Sequence, residues 1–297
     1  MVKGNSLKKK DVIFLLSALT IPILQFIVFY IIVNFNSLAM TFQKTLDGVH
    51  YEFNGLNTIK EALKLFFTDE SYKQIIKNTF VQYFCAQIVV PIIALFFSYC
   101  IWKKVWGYQF FSAILFIPSV ISQLVFVMIA QTAVDSILPA LFNNPEIVET
   151  FNPYTTGFMT ATIYHCVLSF GGQLILQLGA MSGIDQSVVE YGQLDGVNPL
   201  QEFCHIVFPH IWPTIISLFT IGIASIFTNQ GMLFSFFGAG APAQVKTFGT
   251  HIYITVLMKR FAEYPIISAL GSVLSVVVVA ISNLAKHFME KYGPNEE

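Results

Sequence analysis

The chain has 297 residues, 55% of them hydrophobic and only 11% charged, with 30 phenylalanines and a formal net charge of −1. A soluble domain carries roughly 25% charged residues, so the composition indicates a polytopic membrane protein, and the near-neutral charge argues against a nucleic-acid partner. The four cysteines (Cys85, Cys100, Cys166 and Cys204) have no metal-ligand spacing and suggest neither a metal site nor a disulfide framework.

Lys3, Lys8, Lys9 and Lys10 precede a first predicted span over 12–35. That run is too long for the apolar part of a secretory signal and lacks a small-residue cleavage site, so it reads as a retained span. A polar segment follows over 36–78. Within it Thr58 and Glu61 have the spacing of a capping box ahead of Leu63, Phe66 and Phe67, which predicts a short amphipathic helix at the membrane surface. A second span is expected over 79–102, closed by Lys103 and Lys104, and a third over 106–131. An acidic, proline-containing loop with Asp135, Glu146 and Glu149 leads to a fourth span over 155–181. A fifth covers 212–237 and is broken by Gly238–Pro242, GAGAP. Residues 243–263 have room for a short helix, and a sixth span covers 264–284, followed by Lys286 and Lys291. The domain reading is an N-terminal segment 1–11, a first span with an extracellular segment 12–78, a membrane core 79–285, and a C-terminal segment 286–297. Six spans put both termini on one side. Lys and Arg tie between the two sides, but the positive-inside rule weights short flanks, and Lys8–Lys10 and Lys103–Lys104 lie tight against span ends, favouring cytoplasmic termini.

Between the fourth and fifth spans, 184–211 forms the longest polar interruption of the second half, with EYGQLDGVNPLQEFCHIVFP at its centre, Glu190 to Pro209. Gly196 stands where a helix should end, because glycine tolerates the left-handed conformation there. Asn198 reads as the next N-cap, Pro199 as the first helical residue and Gln201 as the partner in a capping box. Leu200, Phe203, Cys204 and Val207 recur as one apolar face, with Gln201, Glu202 and His205 facing the other way.

This stretch resembles the EAA loop of ATP-binding-cassette importer permeases, a pattern of Glu-Ala-Ala, a Gly, then Ile and Leu-Pro. Glu190, Gly196, Ile206 and Pro209 stand at the expected offsets, with Asp195 before the glycine; Tyr191 and Gly192 replace the two alanines, Val197 an alanine and Phe208 the leucine. Phe53, Gly55 and Leu56, then Asn78-Thr79, Phe227 to Pro242, His251-Ile252-Tyr253 and Tyr264 to Ser272 are similar to sugar-type permeases of the MalF class, so the resemblance covers about 50–285. It implies an all-α polytopic fold of six transmembrane helices with a cytoplasmic coupling hairpin between spans four and five, the type I importer permease fold. It also implies that Glu190, Asp195, Gly196, Phe203, Ile206 and Pro209 couple to an ATPase. The implied partners are a second permease subunit, two ATP-binding-cassette ATPase subunits that bind ATP and Mg, and an extracellular solute-binding protein, all at a bacterial plasma membrane.

The residues themselves limit the chemistry. None of the six predicted spans contains Asp, Glu, Lys or Arg, whereas ion-coupled transporters usually keep ionisable groups in the membrane. His165 reads as a packing histidine, and Ser169 four residues on has no third group with which to act as a nucleophile. No phosphate-cradling GxxxxGK[ST] is present, so hydrolysis of ATP is not expected of this chain, which needs no cofactor of its own. Neutral polar residues do occur in the spans: Gln123, Gln131, Tyr164, Gln173, Gln177, Thr228, Asn229 and Gln230. Amides and aromatic faces suit a sugar. Asn229 and Gln230, with Thr228, Gln173 and Tyr164, are therefore the candidates for a solute path, the first two because they sit in mid-span beside Gly231. The reading is a permease subunit of an ATP-driven carbohydrate importer. The alternatives are the same machine for a non-sugar solute and, more remotely, a sodium-coupled transporter that holds its ion by carbonyls alone.

Overall fold

The computed structural model describes residues 9–141 and 145–294; Lys3 and Lys8 of the basic N-terminal cluster lie outside them. In chain order the main elements are α1 (Phe14–Met40), a hairpin of β1 (Gln43–Thr45) and β2 (Tyr51–Phe53), α2 (Asn57–Thr68), α3 (Glu70–Trp102), α4 (Tyr108–Val120), α5 (Gln123–Leu141), α6 (Phe158–Met181), α7 (Gln186–Leu194), α8 (Pro199–Ala224), α9 (Leu233–Phe237), α10 (Phe248–Leu257) and α11 (Tyr264–Tyr292). Among the described residues, 6 helices are long and apolar enough to cross a membrane: α1, α3, α5, α6, α8 and the helix that α11 completes.

Residues up to Lys64 form one compact unit with Arg260–Ser272; Leu65–Lys259 and the chain from Val273 onward form another. In the first, β1 and β2 pair antiparallel, Lys44 opposite Glu52. Their turn is built by Asp47, whose carboxylate accepts from the Val49 and His50 amides at 3.1 and 2.8 Å. The amphipathic helix expected after it is α2, with Ala62 and Phe66 buried and Phe67 exposed. Its capping box is not made. Thr58 lies inside the helix, and its buried hydroxyl donates to the Gln43 carbonyl (2.8 Å) and accepts from Asn54 (3.1 Å). A tertiary acceptor has taken the group that the local pattern assigned to a cap.

Prolines shape the helices of the second unit. Wide π-helical turns occur at Cys85–Val89, Ala133–Ile137 and Phe203–Val207, and in each case a proline stands two residues later: Pro91, Pro139 and Pro209. Proline has no N–H to give, and its ring crowds the carbonyl four residues back, so the helix opens by one residue per turn just ahead of it. Every such turn rotates the following helix face relative to what a 3.6-residue period predicts.

Several predicted span limits shift. Asp69 caps α3, accepting from Ser71 at 2.8 Å, so this helix starts at Glu70 and carries nine polar-rich residues ahead of the predicted span. The third predicted span is two helices. Pro118 lies near the end of α4, Ile121 is extended, and Ser122 caps a new helix, α5. Asp135, expected in a loop, consequently stands exposed within α5, an acid inside the helix that covers the latter part of the third predicted span. The fifth span begins at Pro199, continuous with the second hairpin helix, and its α-helix ends at Ala224 instead of Phe237. The short helix expected within 243–263 is α10.

Among the described residues the core includes three centres. Ala94 and Ile101 of α3 pack on Leu174 of α6. Met181, at the end of α6, packs on Val207 and Ile211 of α8. Val127, Phe158 and Ala161 surround Met232, Leu233, Phe236, Ala241, Val245 and Ile254, so the chain that follows the interrupted fifth span is itself buried.

Candidate functional site

The hairpin between α6 and α8 forms as its own residues dictate. Asp185 caps α7 by accepting from the Ser187 amide at 2.9 Å, and this bond holds its carboxyl below the usual range. At the other end Gly196 has φ +75°. The Val197 amide donates to the Gly192 carbonyl and the Gly196 amide to that of Gln193, each at 3.1 Å; this is the Schellman closure of a helix. Asn198 then accepts from the Gln201 amide at 2.9 Å while the Gln201 side chain accepts from the Asn198 amide at 3.0 Å. The capping box is complete, with Pro199 as the first helical residue.

Glu190 and Asp195 are exposed; Glu190 has a long contact, 3.4 Å, from the Gln186 amide. Gly192, which departs from the family pattern, leaves room for the tip of Ile206: a Cβ at 192 would come within 2.7 Å of it. Phe203 is half-buried, 5.2 Å from the Tyr99 ring, and Pro209 is half-buried at the start of the long straight part of α8. On the outer side Tyr191, Leu194 and Leu200 are 69%, 82% and 73% exposed.

The face assignment in the second hairpin helix needs correcting. Leu200 and Cys204, expected inside, are exposed, and Glu202, expected outside, is buried. Lys103 Nζ lies 2.9 Å from one Glu202 carboxylate oxygen and 3.0 Å from the other. The Tyr99 hydroxyl donates to the Pro199 carbonyl at 2.9 Å. The π-helical turn Phe203–Val207 explains the shift, because it places Glu202 and Val207, five residues apart, on the same inner side. The sequence signal was Pro209.

Of the solute-path candidates, Thr228, Asn229 and Gln230 are not in mid-helix, whereas Tyr164 and Gln173 lie within α6. Residues 225–232 are an open segment between α8 and α9. Its amides close mostly on near neighbours, but its last carbonyls are satisfied from outside. Thr247 and Thr250 donate to the carbonyls of Asn229 (3.3 Å) and Gln230 (2.9 Å), and Gln123 donates to that of Gly231 (3.1 Å). Asn229 folds back to accept from the Gly231 amide at 2.8 Å, so it serves the turn; Thr228 is exposed; the Gln230 amide makes no hydrogen bond within the described residues. Gly231 has φ +57° and touches the buried Gln82 side chain, and Gly249 lies so close to the Asn229 backbone that a Cβ would reach its carbonyl oxygen at 2.5 Å. Asn78 donates to the carbonyls of Gln244 and Lys246, and Thr79 accepts from the Phe248 amide at 2.9 Å, which fixes the returning chain on α3. Sequence reasoning missed these supports: Gln123 was visible only as a polar residue within a span, and the Asn78-Thr79 pair only as part of the family resemblance. Tyr164 stacks on Phe236 and donates to the Phe151 carbonyl, and Gln173 has a buried oxygen without a partner among the described residues, two to three turns further along α6. Ser169 donates to the Cys166 carbonyl and not to His165.

Residues 87–291 match the family described as binding-protein-dependent transport system inner membrane component. The multiple sugar-binding transport system permease protein MsmF of Streptococcus mutans is 23% identical over 286 residues, 92% of this chain and 94% of that protein. The arabinooligosaccharides transport system permease protein AraP of Bacillus subtilis is 23% identical over 268 residues, 88% of this chain and 83% of the relative. Among solved structures, a chain of a bacterial ABC transporter involved in import of the acidic polysaccharide alginate superposes with a TM-score of 0.71 at 20% identity, covering 94% of this chain and 96% of the other.

Proposed function

The chain belongs to the family of inner membrane components of binding-protein-dependent transport systems, and on that premise we propose that it is a permease subunit of an ATP-driven importer for a carbohydrate. It pairs with a second permease to enclose the path, and the solute arrives on an extracellular binding protein. Two ATPase subunits on the cytoplasmic side bind ATP and Mg, and both termini of this chain lie on that side. The observation that carries this reading is the hairpin. It is internally complete, yet it leaves Glu190 and the large apolar residues Tyr191, Leu194 and Leu200 in the open. An apolar surface beside an acid, outside the spans, is what a docking partner covers. ATP-driven closure of the ATPases moves the hairpin, and with it α6 and α8, to alternate access.

The carbohydrate assignment is supported by the sugar and arabinooligosaccharide transport of the relatives and by neutral chemistry near the interrupted span, where Gln230 has a half-buried amide free to meet hydroxyl groups.

The test is Glu190→Ala in the assembled transporter reconstituted into vesicles. As an exposed residue on a capped helix, Glu190 contributes under roughly 0.5 kcal/mol to stability. The variant is expected to insert normally, yet to hydrolyse ATP without uptake or to lose its ATPases on purification. Parental uptake needs ATP on the cytoplasmic side and ignores ionophores. Uptake driven by a sodium or proton gradient without ATP would sink this reading.

A further inference from the structure

We infer that Lys103, Glu202 and Tyr99 form a latch through which the hairpin also drives α3, so that three spans receive its motion. This rests on the coupling role proposed above. The latch joins the last turn of α3 to the first turn of α8. Lys103 follows the final residue of α3, where the partial negative end of that helix favours a cation; Glu202 lies in the first turn of α8, where the partial positive end favours an anion. Each charge suits its own helix, and together they set the end of one against the start of the other.

Burial makes the join specific. The Glu202 side chain is 5% exposed and that of Lys103 27%, and the ammonium reaches both carboxylate oxygens. A carboxylate so far from water depends on its counter-charge, and a two-oxygen contact cannot slide without being lost. The apolar contacts beside it, Met181 on Val207 and Ile211, tolerate small displacements. Tyr99 reinforces the same point: its hydroxyl binds the Pro199 carbonyl, and its ring packs on Phe203 and Trp102. Lys103 also lies 5.7 Å from the Trp102 ring centre, and at Lys104 the backbone turns away with φ +53°. These contacts tie the start of α8 to the end of α3. Because α3 holds the segment after the break through Asn78 and Thr79, movement passed to α3 reaches the interrupted span as well. The latch residues are positioning residues; they touch neither nucleotide nor solute.

The experiment compares Lys103→Met, Glu202→Gln and Lys103→Arg in the complete transporter in vesicles, measuring solute imported per ATP hydrolysed, ATPase subunits retained on purification, and thermal midpoint. The Met and Gln variants are expected to keep their ATPases but import about tenfold less solute per ATP. The Arg variant, which preserves the pair, is expected to match the parent. Glu202→Gln keeps the size and one oxygen of the side chain, and it decides the question if Lys103→Met fails to insert. A parental import ratio in Glu202→Gln overturns the latch, as does a fall in that ratio no larger than the accompanying loss of ATPase subunits. If Glu190→Ala is fully coupled, the hairpin reading itself fails, and that outcome is independent of what these three variants do.

Discussion

The hairpin Gln186–Pro209 and the interrupted span around Ser225–Phe237 are built on one plan: two helices joined by a short open segment that contains a glycine at positive φ. They differ in who satisfies the open backbone. In the hairpin the partners are neighbours. Asp185 serves Ser187, Gly192 and Gln193 receive the closing amides, and Asn198 exchanges bonds with Gln201. In the interrupted span the amides of Asn229 and Gly231 close locally, but the carbonyls and the returning chain depend on partners from elsewhere: Thr247, Thr250 and Gln123, and then Asn78 and Thr79. The difference follows from solvent. An exposed break has water as a fallback and needs only local caps, whereas a break at membrane depth must have every N–H and C=O paired inside the protein.

The sharpest test of that contrast is one substitution at the two glycines. Both Gly231 (φ +57°) and Gly196 (φ +75°) are strained positions for a β-branched residue. Gly231 is also pressed against Gln82, whereas nothing lies within 4 Å of a Cβ at Gly196. Gly231→Val is expected to lose about 4 kcal/mol, strain plus overpacking, and Gly196→Val only about 1–2 kcal/mol, from strain alone. Thermal unfolding of the detergent-solubilised protein measures both, and equal losses would erase the distinction. A smaller effect is expected of Asn198→Ala. It removes a cap that water can partly replace, at about 1 kcal/mol, and the change should show as faster amide exchange at Gln201 with α3 and α6 unaffected.

The smallest effect is one of pH. Hydrogen bonding to Ser187 lowers the Asp185 carboxyl from its ordinary value of 3.8. A group with a lowered folded pKa stabilises fully above its unfolded value and loses that contribution as pH falls through the folded one. The start of α7 should therefore exchange its Ser187 amide at a constant protection from neutral pH down to about 4 and lose protection only below that. Asp185→Asn, which caps without titrating, is expected to abolish the acid loss.

What could be read from the residues alone follows the same division. The six-span class, the hairpin, the turn at Gly196 and the box at Asn198 were legible because they depend on composition and on groups within a few residues of one another. The fifth span was read too far, to Phe237, because Phe227 to Phe237 is apolar enough to continue a helix. Its end near Ala224 is closed locally by Ser225 and Ile226, and the chain stays open beyond it because Thr247, Thr250 and Gln123 pair the carbonyls of Asn229, Gln230 and Gly231. Asp135 was misplaced for a related reason: Ser122 starts a new helix inside an unbroken apolar run. Glu202 was turned the wrong way because a fixed 3.6-residue period takes no account of the wide turn ahead of Pro209. The sequence by itself therefore determined which segments can enter a membrane and where an exposed chain turns, since local hydrogen bonds and side-chain polarity decide both. Only the tertiary structure decided how the chain beyond a buried helix is held and which charge lies inside, because those outcomes depend on partners supplied by residues 18 to 169 positions away.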